Sequence, residues 1–217
     1  VNSYGQANAV AEGAVAFPVL LRQVAAVKGL KRLRFTTSHP KDLDEALMRC
    51  FAEIDILCPH FHLPVQSGSN AVLKRMNRKY SVEQYLEKVA ALRRVCPDIA
   101  LATDIIVGFP GETEADFAAT MDLLNTVRFH GSFSFKYSDR PHTRSAEFSD
   151  KVPETVKAQR LQIFQSRQDE ISLERNLESL GSIVEVMIEG VAETGSRGRT
   201  VANQVVHLAP PFTPLTL

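Results

Sequence analysis

Residues 99–127 read IALATDIIVGFPGETEADFAATMDLLNTV. The first part, 99–107, is an apolar run rich in β-branched residues, long enough for a strand and too short for an isolated helix. The turn GFPGE follows, and from Glu112 onward Phe117, Met121 and Leu124 recur at helical spacing. Strand, glycine turn and amphipathic helix in direct succession form the repeating unit of an α/β fold.

The same alternation extends in both directions. Upstream, a helix is expected over 17–28, with Pro18 in its first turn and Leu20, Val24 and Val27 on one face. A strand follows at 31–37, where Leu33 and Phe35 alternate with Arg32, Arg34 and Thr36. A helix opened by Asp42 then places Leu43, Ala46, Leu47, Cys50, Phe51 and Ile54 inward, and 60–66 is the next strand. Ser81 with Gln84 forms a capping box ahead of Val82, Tyr85, Leu86, Val89 and Leu92. Downstream, 131–137 is a strand, and a long polar helix runs from Pro153 to about Leu180, where Gly181 ends it. The pattern then changes to a small β element, with strands at 182–189 and 202–208 around a Gly/Ser/Arg turn at 195–199, and an irregular tail. Three regions are therefore expected: an α/β body over 1–150, a helical segment over 151–181 and a β appendage over 182–217.

A chain of 217 residues that is 44% hydrophobic and 23% charged builds an ordinary core, which excludes disordered and coiled-coil classes. With 25 basic and 25 acidic residues, any contact with nucleic acid must come from a local patch. Cys50, Cys58 and Cys96 are widely spaced and odd in number, so they read as buried apolar residues in a reducing cytoplasm. No apolar run approaches the roughly 20 residues of a membrane span.

Strands buried on both faces of an α/β sheet normally read as continuous Val, Ile and Leu. Here Arg34 with Thr36, His60 and His62 with Gln66, and Ser132, Ser134 and Lys136 each mark one polar strand face. Either these faces line a cavity for a polar ligand, or they belong to the edge of an open sheet. Two loops at carboxyl ends of strands, QSGS (66–69) and GFPGE (108–112), lie where α/β folds bind ligands, although a plain tight turn also explains the second. Lys74, Arg75, Arg78 and Lys79, and again Arg197 and Arg199, are candidate phosphate contacts or simply solvated surface. His60 and His62 are spaced to share a metal, but no third ligand accompanies them. No nucleophile–base pair stands out, and Lys136 by itself does not make an aldolase.

Five stretches, in order along the chain, resemble the methylthiotransferase family of radical-SAM enzymes. They are RFTTSHPKD (34–42), CPHFHLPVQSGS (58–69), VLKRMNRKY (72–80), TDIIVGFPGET (103–113) and FSFKYSDRP (133–141). Within the family, SHP and MNRKY are similar to the branch that methylthiolates C2 of N6-isopentenyladenosine in tRNA, next to the anticodon. The branches acting on threonylcarbamoyl-adenosine or on a ribosomal-protein aspartate are the alternatives, and a cluster-free RNA- or protein-binding module is a further one.

The resemblance implies a partial radical-SAM (βα)6 barrel, its last four strands and helices, followed by a truncated RNA-binding β domain of the TRAM type. It implies S-adenosyl-L-methionine and two [4Fe–4S] clusters in the full-length enzyme, with tRNA and a reducing electron donor as partners. The cysteines that hold the clusters would lie upstream of Val1, so this chain is expected to carry no cluster and to be inactive alone. Carried over by position, Gln66 and Ser67 would lie near the ribose and methionine of the cofactor. Gly108, Phe109, Pro110 and Gly111 would pass its adenine, and Lys136, Tyr137 and Ser138 would end a strand beside the substrate pocket. The unpaired sheet edge of half a barrel is open to pairing between chains.

Overall fold

A computed structural model describes residues 4, 15–36, 39–192 and 195–209. The strand expected at 99–107 is the middle strand of a parallel sheet. β1 (His60–His62), β2 (Ala100–Val107) and β3 (Gly131–Lys136) lie in the order β1-β2-β3. β1 pairs with β2 in the register His60↔Ala100 to His62↔Ala102, and β3 pairs from Ala102↔Gly131 to Val107↔Lys136. A parallel bridge between Leu33 and Leu57 carries the arrangement one segment further, and a second joins Gln66 to Ile105.

The connecting helices are α1 (Phe17–Ala25), α2 (Glu45–Glu53), α3 (Asn70–Arg75), α4 (Val82–Val95), α5 (Glu114–Val127) and α6 (Glu154–Leu177). The capping box at Ser81 and Gln84 forms as expected, and Tyr85, Val89 and Leu92 are buried. α5 starts two residues later than its periodicity predicts, because Thr113 and Asp116 make its capping box while Glu112 is committed to the preceding loop. α2 begins at Glu45 rather than Asp42: Pro40–Asp42 is a 3-10 turn, and the Asp44 carboxylate accepts the Leu47 N–H at 2.8 Å. α1 ends at Ala25, so its buried face is Phe17, Pro18 and Leu21, and Val27 lies outside it in solvent. α3, capped by Ser69, is too short for periodicity to reveal.

The core lies between the helices and one face of the sheet. Phe17, Phe35, Phe51 and Phe61 form an aromatic cluster with ring centroids 5.0–5.9 Å apart. On β2, Leu101, Thr103, Ile105 and Val107 are buried on this side. The Thr103 hydroxyl accepts the Val65 N–H and donates to Leu63 O, which also accepts the Tyr85 hydroxyl at 2.9 Å, so the buried polar atoms are paired.

Two expectations are corrected here. The strand at 31–37 reduces to the single bridge at Leu33, and Thr37 lies outside the described residues. Its arginines are held by side-chain contacts instead: Arg32 donates to Arg199 O and Arg34 to Thr200 O, each at 2.7 Å. The stretch 195–199 is a strand and not a turn. β4 (Val186–Ala192), β5 (Gly195–Thr200) and β6 (Val205–Leu208) form an antiparallel sheet of three strands. Gly198 suits that strand because a Cβ there would lie 2.5 Å from Met187 O across the pair. Apart from Ala209, the expected irregular tail falls outside the described residues.

A buried ion pair ties α6 to the turn after β2. The Arg160 guanidinium on α6 donates to the Glu112 carboxylate at 2.8 Å and to Glu114 at 3.0 Å, with the Glu112 side chain 1% exposed. Desolvation pushes the Glu112 carboxyl above its ordinary value, while the Gly108 N–H and Arg160 pull the other way. His60 and His130 are also desolvated. Burial, then Arg34 for His60 and Arg175 for His130, brings both imidazoles from 6.5 to about 4.

Arg160→Leu therefore leaves a buried carboxylate unpaired and costs about 3 kcal/mol at pH 7. The loss shrinks near pH 5, because a raised pKa favours protonated Glu112 in the folded state; urea midpoints at the two pH values measure both. The two histidines act in the opposite sense. The unfolded chain takes up protons at both below pH 6.5 and the folded chain only near 4, so stability present above 6.5 falls through that window. Allowing for partial solvent screening, each contributes about 1 kcal/mol by pH 5. His60→Gln and His130→Gln each flatten that slope in the same titration.

Candidate functional site

A cleft of about 940 Å³ opens at the carboxyl ends of β2 and β3. The turn that follows β2 contributes Phe109 to its lining. Gly108 and Gly111 have φ of +70° and +79°, a region that glycine enters without strain. The Gly108 N–H donates to Glu112 Oε1 at 2.8 Å, the same oxygen that receives Arg160, so α6 locks the turn from behind. The Gly111 N–H donates to Asp150 O, and the Asp150 carboxylate accepts Arg75 of α3 at 2.8 Å.

The glycines are not open to a ligand in the way the sequence suggested. A Cβ on Gly108 would lie 2.2 Å from Lys157 Cγ, and one on Gly111 would meet Asp150 and Arg75. The space beside each is filled by this chain. The close approach in QSGS also serves packing: a Cβ on Gly68 would lie 2.4 Å from Ala119 O of α5. The Gly68 N–H donates to Thr120 Oγ1, and buried Ser67 Oγ accepts the Ser69 N–H.

The cleft brings together Gln66, Phe109, Lys136, Tyr137 and Ser138 from the expected cofactor set, and Lys74, Arg75 and Arg78 from the expected phosphate set. Ser67, Gly108, Pro110, Gly111 and Lys79 do not line it; Lys79 turns to Asn77 Oδ1. Arg197 and Arg199 stand on β5 in the antiparallel sheet, where Arg199 pairs with Glu189 at 3.1 Å and Arg197 is exposed. Gln66 has φ of +77° without being glycine, and its backbone is pinned between Asp104 O and the Ile106 N–H. A non-glycine residue with positive φ is strained, and here the sheet holds it in place at the edge of the cleft.

The polar faces are distributed differently from the sequence reading. Asp104 pairs in register with Phe133 and Ile106 with Phe135, so those rings share the sheet face opposite the core, and of the two Phe135 lines the cleft. Ser134 instead accepts from Gln165 of α6, and Lys136 pairs with Glu154. Ser134 and Lys136 are thus satisfied by the polar surface of α6, while Lys136 reaches the cleft from the strand end. On β1, His62 Nε2 lies 2.9 Å from Asp104 Oδ1 and the His62 ring meets Phe133 edge-on, and neither His60 nor His62 lines the cleft. Arg34 reaches the antiparallel sheet and not the cleft.

Sequence reasoning missed Asp104, the lone acid in an apolar strand, which was a usable signal. It also missed Arg140, Arg144 and Phe148, which line the cleft from a segment without periodicity. Among the described residues, no group of three or more His, Cys, Asp or Glu is arranged to hold a metal ion. Among them, too, no helix is long and apolar enough to cross a membrane.

Comparison with known proteins places these features in a family. A protein of Desulfotalea psychrophila named tRNA-2-methylthio-N(6)-dimethylallyladenosine synthase is 61% identical over 209 residues, covering 95% of this chain and 47% of that protein. A protein of the same name from Syntrophobacter fumaroxidans is 50% identical over 214 residues, covering 97% and 46%. The chain spans about half the length of the curated relatives it matches. Among solved structures, the radical SAM enzyme coproporphyrinogen III oxidase from Escherichia coli is similar with a TM-score of 0.56 at 17% identity, over 71% of this chain and 36% of that one. That likeness concerns the fold. The model of the radical SAM superfamily matches residues 14–124, and with a parallel sheet whose cleft lies at its carboxyl ends, the chain belongs to that superfamily.

Proposed function

We propose that this chain is part of a radical-SAM methylthiotransferase that modifies C2 of N6-isopentenyladenosine in tRNA. The observation that carries the reading is the cleft, where Gln66, Phe109 and Lys136 meet Lys74, Arg75 and Arg78. It stands in a chain 61% identical over 209 residues to a protein named for that reaction. In this reading residues 1–150 are the last part of a (βα)6 barrel, 151–181 its closing helix, and 182–217 an incomplete TRAM-like β domain carrying Arg197 and Arg199 toward RNA. Among the described residues β3 is an edge strand of the parallel sheet, where a further strand could pair.

S-adenosyl-L-methionine and two [4Fe–4S] clusters would supply the one-electron and group-transfer chemistry, with electrons from a reducing donor in the cytoplasm. The residues fit the first of these and not the second. Gln66 presents a carboxamide, both donor and acceptor, that suits ribose or amino-acid groups, and Phe109 and Tyr137, 5.0 Å apart, form an apolar wall for a purine. Cys50, Cys58 and Cys96 do not form a cluster-binding set. This chain's residues therefore bind and orient.

The direct test is a hybrid in which this chain replaces the matching segment of the Desulfotalea psychrophila protein. After anaerobic reconstitution it should convert isopentenyladenosine in tRNA to the methylthio form, read by mass spectrometry of nucleosides. Product formed only on threonylcarbamoyl-adenosine would transfer the reading to the other branch. Gln66→Ala in the hybrid should weaken cofactor binding about tenfold and lower turnover; unchanged values for both would remove Gln66 from the site. The chain alone, reconstituted with iron and sulfide, should show no stoichiometric cluster absorption.

A further inference from the structure

The mouth of the cleft carries a charge pattern that the cofactor contacts leave unexplained. Six of its lining residues are basic and none is acidic, in a chain whose 25 basic and 25 acidic residues balance. Two are neutralised: Arg75 by Asp150 and Lys136 by Glu154. Lys74, Arg78, Arg140 and Arg144 make no ion pair and no side-chain hydrogen bond among the described residues. Gathering four unpaired cations at one opening is unfavourable unless an anion comes to sit among them.

The segment that carries Arg140 and Arg144 is braced. The Thr143 hydroxyl donates to Arg140 O at 2.7 Å, and Lys151 Nζ donates to Ser145 O at 2.8 Å and to Ala146 O at 3.1 Å. Phe148 from the same segment lies under the Arg75 guanidinium, 4.8 Å from ring centroid to Cζ. Its backbone is held while its two free guanidinium groups stay exposed at the mouth. Phe135, 54% exposed, adds a free aromatic face to the same lining.

We propose that Lys74, Arg78, Arg140 and Arg144 form a phosphate-binding collar that holds single-stranded RNA backbone on either side of the nucleotide presented to the cleft. Unpaired guanidinium groups beside an exposed ring match the phosphate and base of an unstacked nucleotide. An acidic peptide would satisfy the charges and leave the ring without a planar partner. The collar rests on the reading of this protein as an RNA-modifying enzyme, and it assigns Arg140 and Arg144 a role in RNA affinity and none in cofactor binding.

The test uses the whole chain and a labelled anticodon stem–loop RNA, titrated by fluorescence anisotropy over a range of salt concentrations. The double variant Arg140→Gln/Arg144→Gln should weaken binding about tenfold and reduce the slope of log K against log salt by about 1.5. Arg94→Gln, an exposed basic position on α4 outside the cleft, should leave both unchanged. In the hybrid enzyme the same double variant should raise the KM for tRNA while cofactor affinity stays at the parent value. RNA binding and salt slope unchanged in the double variant, with the hybrid active, would overturn the collar and leave the function standing. An equal fall in cofactor affinity would also overturn it, by assigning the arginines to the cofactor. If neither chain nor hybrid binds RNA even at low salt, the RNA reading fails and the collar with it.

Discussion

β2 is hydrogen-bonded along both edges, and the positions of the other parts follow from that double pairing. A strand held on two sides has no freedom of register, so the face of each neighbour is decided once β2 is in place. Leu101, Ile105 and Val107 go to the core, and Thr103 is accepted there because its hydroxyl bridges Leu63 and Val65. Asp104 and Ile106 go to the opposite face and take Phe133 and Phe135 of β3 with them. The carboxyl end of β2 then sets where the Gly108–Gly111 turn begins and, through it, where the cleft opens.

The turn itself is held by charge in a dry place. Glu112 sits with its side chain 1% exposed between the Gly108 N–H and Arg160. Such a pair adds little net stability, because desolvating both ions offsets most of their attraction. Its value is positional: a carboxylate that must be satisfied accepts only one arrangement of the turn and of α6. The same helix covers the polar side of β3, meeting Ser134 with Gln165 and Lys136 with Glu154. The polar composition of α6 is therefore the complement of β3 as well as a solvated surface.

The two ends of the sheet are occupied differently. At the amino ends, His60 and His130 are desolvated, and Arg32 and Arg34 reach the carbonyls that close β5, so this end is joined to the antiparallel sheet. At the carboxyl ends the lining is basic and aromatic, with cations left over after Asp150 and Glu154 are counted. A charge-neutral chain thus confines an anion-attracting surface to one opening, which overall composition cannot express.

The sequence by itself determined most of the helices and the strands of the parallel sheet, with ends displaced by a few residues. The capping box at Ser81, the apolar run of β2, the glycine turn and the helix after it are written within a few residues each, and local backbone energetics suffice to read them. It also carried the ordered motifs that point to the superfamily, and it located Gln66, Phe109, Lys136 and Arg78, which meet at the cleft. Other features were decided only in three dimensions. A strand period of two leaves either face of β3 available, and pairing with β2 put Phe133 and Phe135, not Ser132 and Ser134, on the face opposite the core, where Phe135 lines the cleft. Ser67 and Gly108 fit a ligand loop by sequence, but packing against α5 and Lys157 consumed them. Arg160 lies 48 positions from Glu112, and Arg140 and Arg144 lie in a segment without periodicity. Contacts of that range arise from packing the whole chain, and no short stretch of sequence encodes them.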